Sequence, residues 1–147
     1  MLRNLFLAVP FLLLAHVTSA VALPECKGSY DKRTWTKCEG SLSNIFYTGD
    51  KYVGEWELGK WHGWGTYVHS EGVKYQGDWD QGQKHGIGYQ IYPNGDVYIG
   101  MWNKDEWNGF GTLFMAEGNV WGGQWIGRAF QGGEKYEPEE VPDDLIA

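Results

Sequence analysis

Two histidines and two carboxylates are the residues whose type and spacing could support chemistry. His62 and His85 each open a His-Gly-x-Gly segment, and Glu55 and Asp78 each sit in a Gly-acid-Trp segment. A histidine pair suggests a shared metal, and a carboxylate pair suggests acid–base cleavage of a glycosidic bond. Both pairs are separated by the same stretch of chain, and two intervening strands would put ~10 Å between partners. Zinc ligands lie ~2.0–2.1 Å from the ion, so the histidines cannot share one. The same distance is too wide for a retaining glycosidase and marginal for an inverting one. The histidines are therefore expected to hydrogen-bond turn backbone, and the carboxylates to be solvated charges on a strand. The sequence holds no nucleophile elbow, His-Glu-x-x-His, P-loop, dinucleotide fingerprint or EF-hand loop. Gly63-Trp64-Gly65 is a GxG fragment that recurs without a following helix, which is not a phosphate cradle. No catalytic, cofactor or metal residue is assigned, no cofactor is expected, and the chain reads as a non-enzyme.

Binding remains. Trp61, Trp64, Trp107 and Phe110, with Phe130, lie outside the strongest aromatic-glycine segments. Exposed together, they would form an aromatic row at ~10 Å intervals. Such a row suits a flat partner: a sugar ring, a peptide strand or another sheet. Alternatively, these rings fill one side of a twisted sheet.

The elements that must position them follow from an internal period. Tyr52-Val53-Gly54-Glu55-Trp56 recurs as Tyr75-Gln76-Gly77-Asp78-Trp79, as Tyr98-Ile99-Gly100-Met101-Trp102 and as Trp121-Gly122-Gly123-Gln124-Trp125, each 23 residues after the last. Trp61-His62-Gly63-Trp64-Gly65, Lys84-His85-Gly86-Ile87-Gly88 and Trp107-Asn108-Gly109-Phe110-Gly111 keep the same step. Gly49, Gly72, Gly95 and Gly118 do so too. In Tyr52, Gly54 and Trp56 the i, i+2, i+4 spacing puts one face of a strand in play. Leu58-Gly59-Lys60 and Gln81-Gly82-Gln83 read as turns. Second strands are expected over Trp64 to Val68, Ile87 to Tyr92 and Phe110 to Met115. Pro93-Asn94-Gly95 carries the strongest short hairpin cue. The expected fold is all-β: an elongated, single-layer antiparallel meander of hairpin repeats, twisted and solenoid-like. A glycine between two aromatics leaves a hole that a neighbouring ring can cover, so ring-on-glycine packing replaces an aliphatic core.

These segments resemble the MORN repeat family, whose pattern is Tyr-x-Gly-x-Trp/Phe, a turn glycine, His/Asn-Gly-x-Gly-Thr-Tyr and a second turn glycine. Tyr52, Gly54, Trp56, Gly59, His62, Gly63, Gly65, Thr66, Tyr67 and Gly72 match one unit completely. Tyr75 to Gly95 matches a second, with Tyr89 at the threonine position. Tyr98 to Gly118 matches a third, with Asp105 for the turn glycine and Asn108 for the histidine. Trp121 to Glu134 is an eroded fourth, with Arg128 for the turn glycine. The resemblance implies a repeat fold with assembly or attachment roles. The Cys26-to-Gly40 stretch also looks like the cysteine-containing leader of exported bacterial MORN proteins.

Met1 to Ala22 reads as a secretory signal peptide. Arg3 is followed by an apolar run from Leu5 to Ala15 and by small residues that allow cleavage after Ala20 or Ala22. The run falls far short of the ~20 apolar residues of a membrane anchor. Export to the periplasm or outside makes a Cys26–Cys38 disulfide the default, whereas a metal or redox thiol pair would need Cys-x-x-Cys spacing or nearby histidines. Residues 23–48 are then expected to form a disulfide-containing cap and degenerate repeat, 49–133 the array, and 134–147 an acidic tail, either a charged cap or disordered.

Composition narrows the partners. With 12 Lys and Arg against 19 Asp and Glu in 147 residues, the net charge is -7, a poor match for nucleic acid or anionic lipid. From Lys27 to Gly133 there are 10 basic and 12 acidic residues, which offers no polybasic patch for a membrane surface. The preferred reading is a scaffold of the cell envelope that binds a protein partner or itself. A glycan-binding module is the alternative, and membrane-lipid association the last.

Overall fold

The computed structural model describes residues 22–45 and 48–137. The signal peptide expected over residues 1–22 and the tail beyond 137 lie almost wholly outside them. The described chain folds into one nine-stranded sheet with strands in sequence order, every neighbour antiparallel. The strands are β1 (Cys38–Ile45), β2 (Asp50–Glu57), β3 (Lys60–Val68), β4 (Lys74–Asp80), β5 (Gln83–Ile91), β6 (Val97–Asn103), β7 (Glu106–Phe114), β8 (Val120–Ile126) and β9 (Ala129–Tyr136). This is the expected all-β meander. The last strand continues through Glu134, Lys135 and Tyr136, the residues that open the acidic stretch.

The second strand of each hairpin begins about four residues earlier than the sequence suggests. The reason is a two-residue turn. Glu57 pairs with Lys60 and Asp80 with Gln83, leaving Leu58-Gly59 and Gln81-Gly82 as the only connecting residues. Both residues of each turn have positive φ, the geometry whose twist matches that of the flanking strands. Asp105 adopts φ 69° where the other turns use glycine, and its backbone N–H donates to the Lys84 carbonyl at 3.1 Å.

The aromatic core packs on one face. Tyr52, Tyr75 and Tyr98 are fully buried there, beside Trp56, Trp79, Trp102 and Trp125. Each tyrosine ring lies over the glycine opposite it. A Cβ at Gly65 would stand 2.2 Å from the Tyr52 hydroxyl, and one at Gly111 would stand 2.2 Å from that of Tyr98. Every Trp of this row donates its indole N–H to a glycine carbonyl one strand back. Trp56 reaches Gly40, Trp79 reaches Gly65, Trp102 reaches Gly88 and Trp125 reaches Gly111, all at 2.9–3.2 Å. Within this row the tyrosine–tryptophan contacts are edge-on, as in Tyr75–Trp102 with centroids 5.1 Å apart and planes at 82°. The expected ring-on-glycine core is what holds the sheet.

The N-terminal end is closed by residues 24–37. Cys26 and Cys38 form a disulfide. Glu25 bridges to Glu39 along the outer edge of β1, and Trp35 packs edge-on against Trp56 at 5.1 Å. A terminal strand otherwise offers unpaired backbone to other chains. A structural disulfide also belongs to an oxidising environment.

Asp50 pins consecutive turns together. Its carboxylate accepts the Ser70 backbone N–H at 2.9 Å and the Tyr67 hydroxyl at 2.7 Å. Asp96 repeats the device by accepting the Ala116 N–H at 2.9 Å. The Ser70 N–H, helped by Tyr67, Thr48 and His69 and opposed by burial, lowers the Asp50 pKa from 3.8 to about 2. The folded value lies below the unfolded one, so this stabilisation is complete above about pH 4 and disappears as pH falls through 2. Thermal melts of Asp50→Asn are expected to converge with wild type as pH drops from 5 to about 2. A constant gap over that range would contradict the assignment.

Candidate functional site

The repeat places its polar residues at a bulge. Gly54 pairs with Gly65 while Glu55 pairs with His62, so Gly63 and Trp64 are extra on β3. The next hairpin leaves Gly86 and Ile87 extra in the same way. The bulge exposes backbone N–H groups, and the carboxylates satisfy them. Glu55 Oε1 accepts the Trp64 N–H at 3.1 Å, and Asp78 Oδ2 accepts the Ile87 N–H at 2.9 Å. A Cβ on Gly63 would stand 2.2 Å from Glu55 Oε2, so glycine is required for the close approach as well as for its φ of 53°. Glu55 and Asp78 are therefore bulge caps, not the solvated charges expected from sequence. The signal was available in the acid that recurs across from a Gly-x-Gly segment.

His62 differs from expectation too. The His62 imidazole lies between carboxylates, with Nε2 3.2 Å from Glu57 Oε2 and Nδ1 3.6 Å from Asp80 Oδ1, rather than on turn backbone. It is the His62 and His85 main-chain carbonyls that face the buried Tyr52 and Tyr75 hydroxyls, at 3.5 and 3.4 Å. Among the described residues, no group of three or more His, Cys, Asp or Glu side chains could hold a metal ion.

The expected aromatic row splits in two. A bulge of two extra residues preserves the alternation of faces, so Trp61 and Trp64, three positions apart, point to opposite sides. Trp61 stacks flat on Tyr52 at 4.7 Å, and Trp107 on Tyr98 at 4.0 Å with only 5% of its surface exposed. Phe130 packs on Trp125 on that same ring face. These three are core. Trp64 and Phe110 stand on the other side with Ile87 between them in register, at 47%, 64% and 60% exposure.

That second side is the candidate surface. Away from the hairpin turns, its residues on β5 to β7 are Ile87, Tyr89, Ile91, Val97, Ile99, Met101, Phe110, Thr112 and Phe114, none charged at neutral pH, while Glu106 stands on the same side at the turn end of β7. Toward the C-terminal end it forms a groove of about 510 Å³. Ile87, Ile99, Met101, Phe110 and Phe114 wall the groove, and Gly100, Gly111, Gly122 and Gly123 lie bare beneath them. The missing Cβ atoms that admit the rings on one face thus lower the floor of the groove on the other. A contiguous exposed apolar face of this kind marks an interaction site.

Three stretches of the chain, residues 52–73, 75–97 and 98–120, match the family model described as the MORN repeat. A search of the curated proteins returns no match. No helix among the described residues is long and apolar enough to cross a membrane.

Proposed function

The chain is a MORN repeat protein, and on that premise we propose that it is a non-enzymatic scaffold which docks a protein partner, or a second copy of itself, through the apolar groove on its second sheet face. MORN repeats are in general protein- or membrane-binding modules. The observation that carries the choice of protein is the groove walled by Ile87, Ile99, Met101, Phe110 and Phe114. It offers apolar side chains on a rigid floor and no cation for a lipid headgroup, so an apolar strand face or aromatic anchor fits it best.

The Cys26–Cys38 disulfide and the apolar leader sequence support export to the periplasm or the outside. An aromatic row for glycan binding loses its basis, because Trp61 and Trp107 are committed to stacking on tyrosine.

The test is the molecular mass in solution and the capture of envelope proteins, compared between wild type and Phe110→Lys. Phe110 is exposed and holds no core contact, so the variant folds. Wild type is expected to run above monomer mass or to retain a partner. The variant is expected to lose that association by about 10- to 100-fold, the effect of burying an unpaired charge in an interface centre. A wild type that is monomeric and captures nothing overturns the proposal.

A further inference from the structure

In the middle of the array the ring face is interrupted by polar side chains. In successive repeats the residue paired with the conserved Trp is Trp61, Lys84, Trp107 and Phe130. The residue paired with the conserved Tyr is Tyr67, Gln90 and Leu113. One repeat thus gives up both aromatics, and installs an amine and an amide in the middle of an aromatic ladder. Gln90 is 3% exposed, and the Lys84 ammonium donates to its Oε1. Lys84 Nζ also lies 5.2 Å from the Tyr75 ring centroid and 5.0 Å from that of Trp102.

A second cation arrives from the turn between β8 and β9. The Arg128 guanidinium lies over Tyr92 at 5.2 Å and over Trp107 at 5.7 Å. Trp102 and Trp107 have centroids 6.4 Å apart, so the two cations cover neighbouring rings. They line a pocket of about 210 Å³ together with Gln90, Tyr92, Trp102 and Trp107. That pocket adjoins a second, of about 350 Å³, which shares Tyr92, Trp107 and Arg128 and adds Pro93 and Leu113.

The two cations have only neutral side-chain acceptors among the described residues: Lys84 donates to Gln90 and Arg128 donates to the Tyr92 hydroxyl at 3.4 Å. Among the described residues neither Lys84 nor Arg128 forms an ion pair within 4.0 Å, in a chain where acids outnumber bases. The Trp107 indole N–H, near the Tyr92 hydroxyl, is buried without an acceptor in hydrogen-bonding geometry. Asp105, one of the acids lining the pocket, accepts from the Lys84 backbone N–H at 2.9 Å and from Gln83 Nε2 at 3.4 Å. Replacing a stacking Trp with a half-buried amine breaks the local rule of the fold, and such breaks are characteristic of functional positions.

We propose that this pocket binds a single carboxylate carried on a ring, with Lys84 and Arg128 on the carboxylate and Tyr92, Trp107 and Leu113 against the ring. One negative charge suits the site better than two, because Asp105 and Glu106 line the smaller pocket and Asp96 the larger. The ring has an apolar wall to lie on, and a guanidinium over an aromatic ring presents its N–H fork in plane to a carboxylate. Two sources share this chemistry: the uronic acid residues of an acidic polysaccharide, and an aromatic acid. The site is on the face opposite the proposed docking groove, so each can fail without the other.

The groups that set the charge of Lys84 are Tyr75 on β4, Asp105 in the turn before β7, Glu106 on β7 and Arg128 in the turn before β9. Burial, reinforced by Arg128 and opposed by Asp105, lowers its pKa from 10.5 to about 8. Binding is therefore strongest below pH 8 and weakens above it.

The experiment is titration of the full chain with tetragalacturonate, with benzoate, and with inorganic phosphate, read by calorimetry and tryptophan fluorescence at pH 7 and pH 9. At least one carboxylate probe is expected to bind saturably, with about tenfold or greater loss in Arg128→Gln and in Lys84→Met. Lys135→Met, which removes a cation stacked on Trp121 elsewhere on the ring face, should leave binding unchanged. Galacturonate alone identifies the sugar acid, benzoate alone the aromatic acid, and both the carboxylate itself. Arg128 is exposed at a turn, so its variant folds even where a change at Lys84 does not. Failure of both carboxylates, equal affinity for phosphate, or indifference to Arg128→Gln overturns the proposal.

Discussion

Gly77→Ala is expected to destabilise the protein by about 3 kcal/mol or more, as measured by chemical denaturation. The added methyl would stand 2.4 Å from the Gly88 Cα and 2.6 Å from the Ile87 carbonyl oxygen, both backbone atoms of the adjacent strand. Neither can swing aside without parting β4 from β5. The sign is informative, because alanine in a strand is ordinarily better than glycine by roughly 0.5–1 kcal/mol. Gly82→Ala is the control. It has open space around the new methyl and pays only for a positive φ of 88°, a cost of about 1–2 kcal/mol. A Gly77 variant no worse than the Gly82 variant would mean that the strands do not approach as closely as described.

The second large effect is at the tyrosine. Tyr75 is wholly buried, packs edge-on against Trp79 and Trp102, and donates its hydroxyl to the Asp78 carbonyl at 2.9 Å. Tyr75→Ala is expected to cost about 3–5 kcal/mol, the range for emptying an aromatic site. Its coupling to Gly88 tests the packing principle directly. The three atoms nearest a Cβ on Gly88 all belong to that ring, with the hydroxyl at 2.4 Å and Cζ at 2.7 Å. Gly88→Ala should therefore be damaging in the wild type and nearly harmless once the ring is gone, a coupling of about 1–3 kcal/mol in a double-mutant cycle. Additive costs would show that the ring is not held by the bare backbone beneath it.

The fold was legible because the 23-residue step survives four copies without an insertion, and because alternating aromatics and glycines fix which face is buried. Strand starts were less legible. A two-residue turn with both φ values positive tolerates Leu58, Gln81 and Lys104 beside the turn position, and none of these is a usual turn residue. The binding aromatics were misgrouped for a different reason. Trp61 and Trp64 were read as members of one row, although an odd spacing within a strand separates faces. Glu55 and Asp78 recur across from a Gly-x-Gly segment, which was the available signal, but the N–H groups they cap are created by the extra residue pair of the bulge. Lys84 is the opposite case. Its place in the column of Trp61 and Trp107 is plain from the repeat, but its pairing with Arg128 depends on how far the turn before β9 reaches back across the sheet.

Backbone pairing in the array runs between consecutive strands, and most ring contacts reach no further than the next strand but one. A protein built this way has no centre to protect. Duplicating or deleting one unit in the gene adds or removes two rungs, ~10 Å of length, and leaves every surviving neighbour as it was. Reach becomes a trait that can drift independently of recognition, so the molecule can serve as a ruler whose graduations are inherited one at a time.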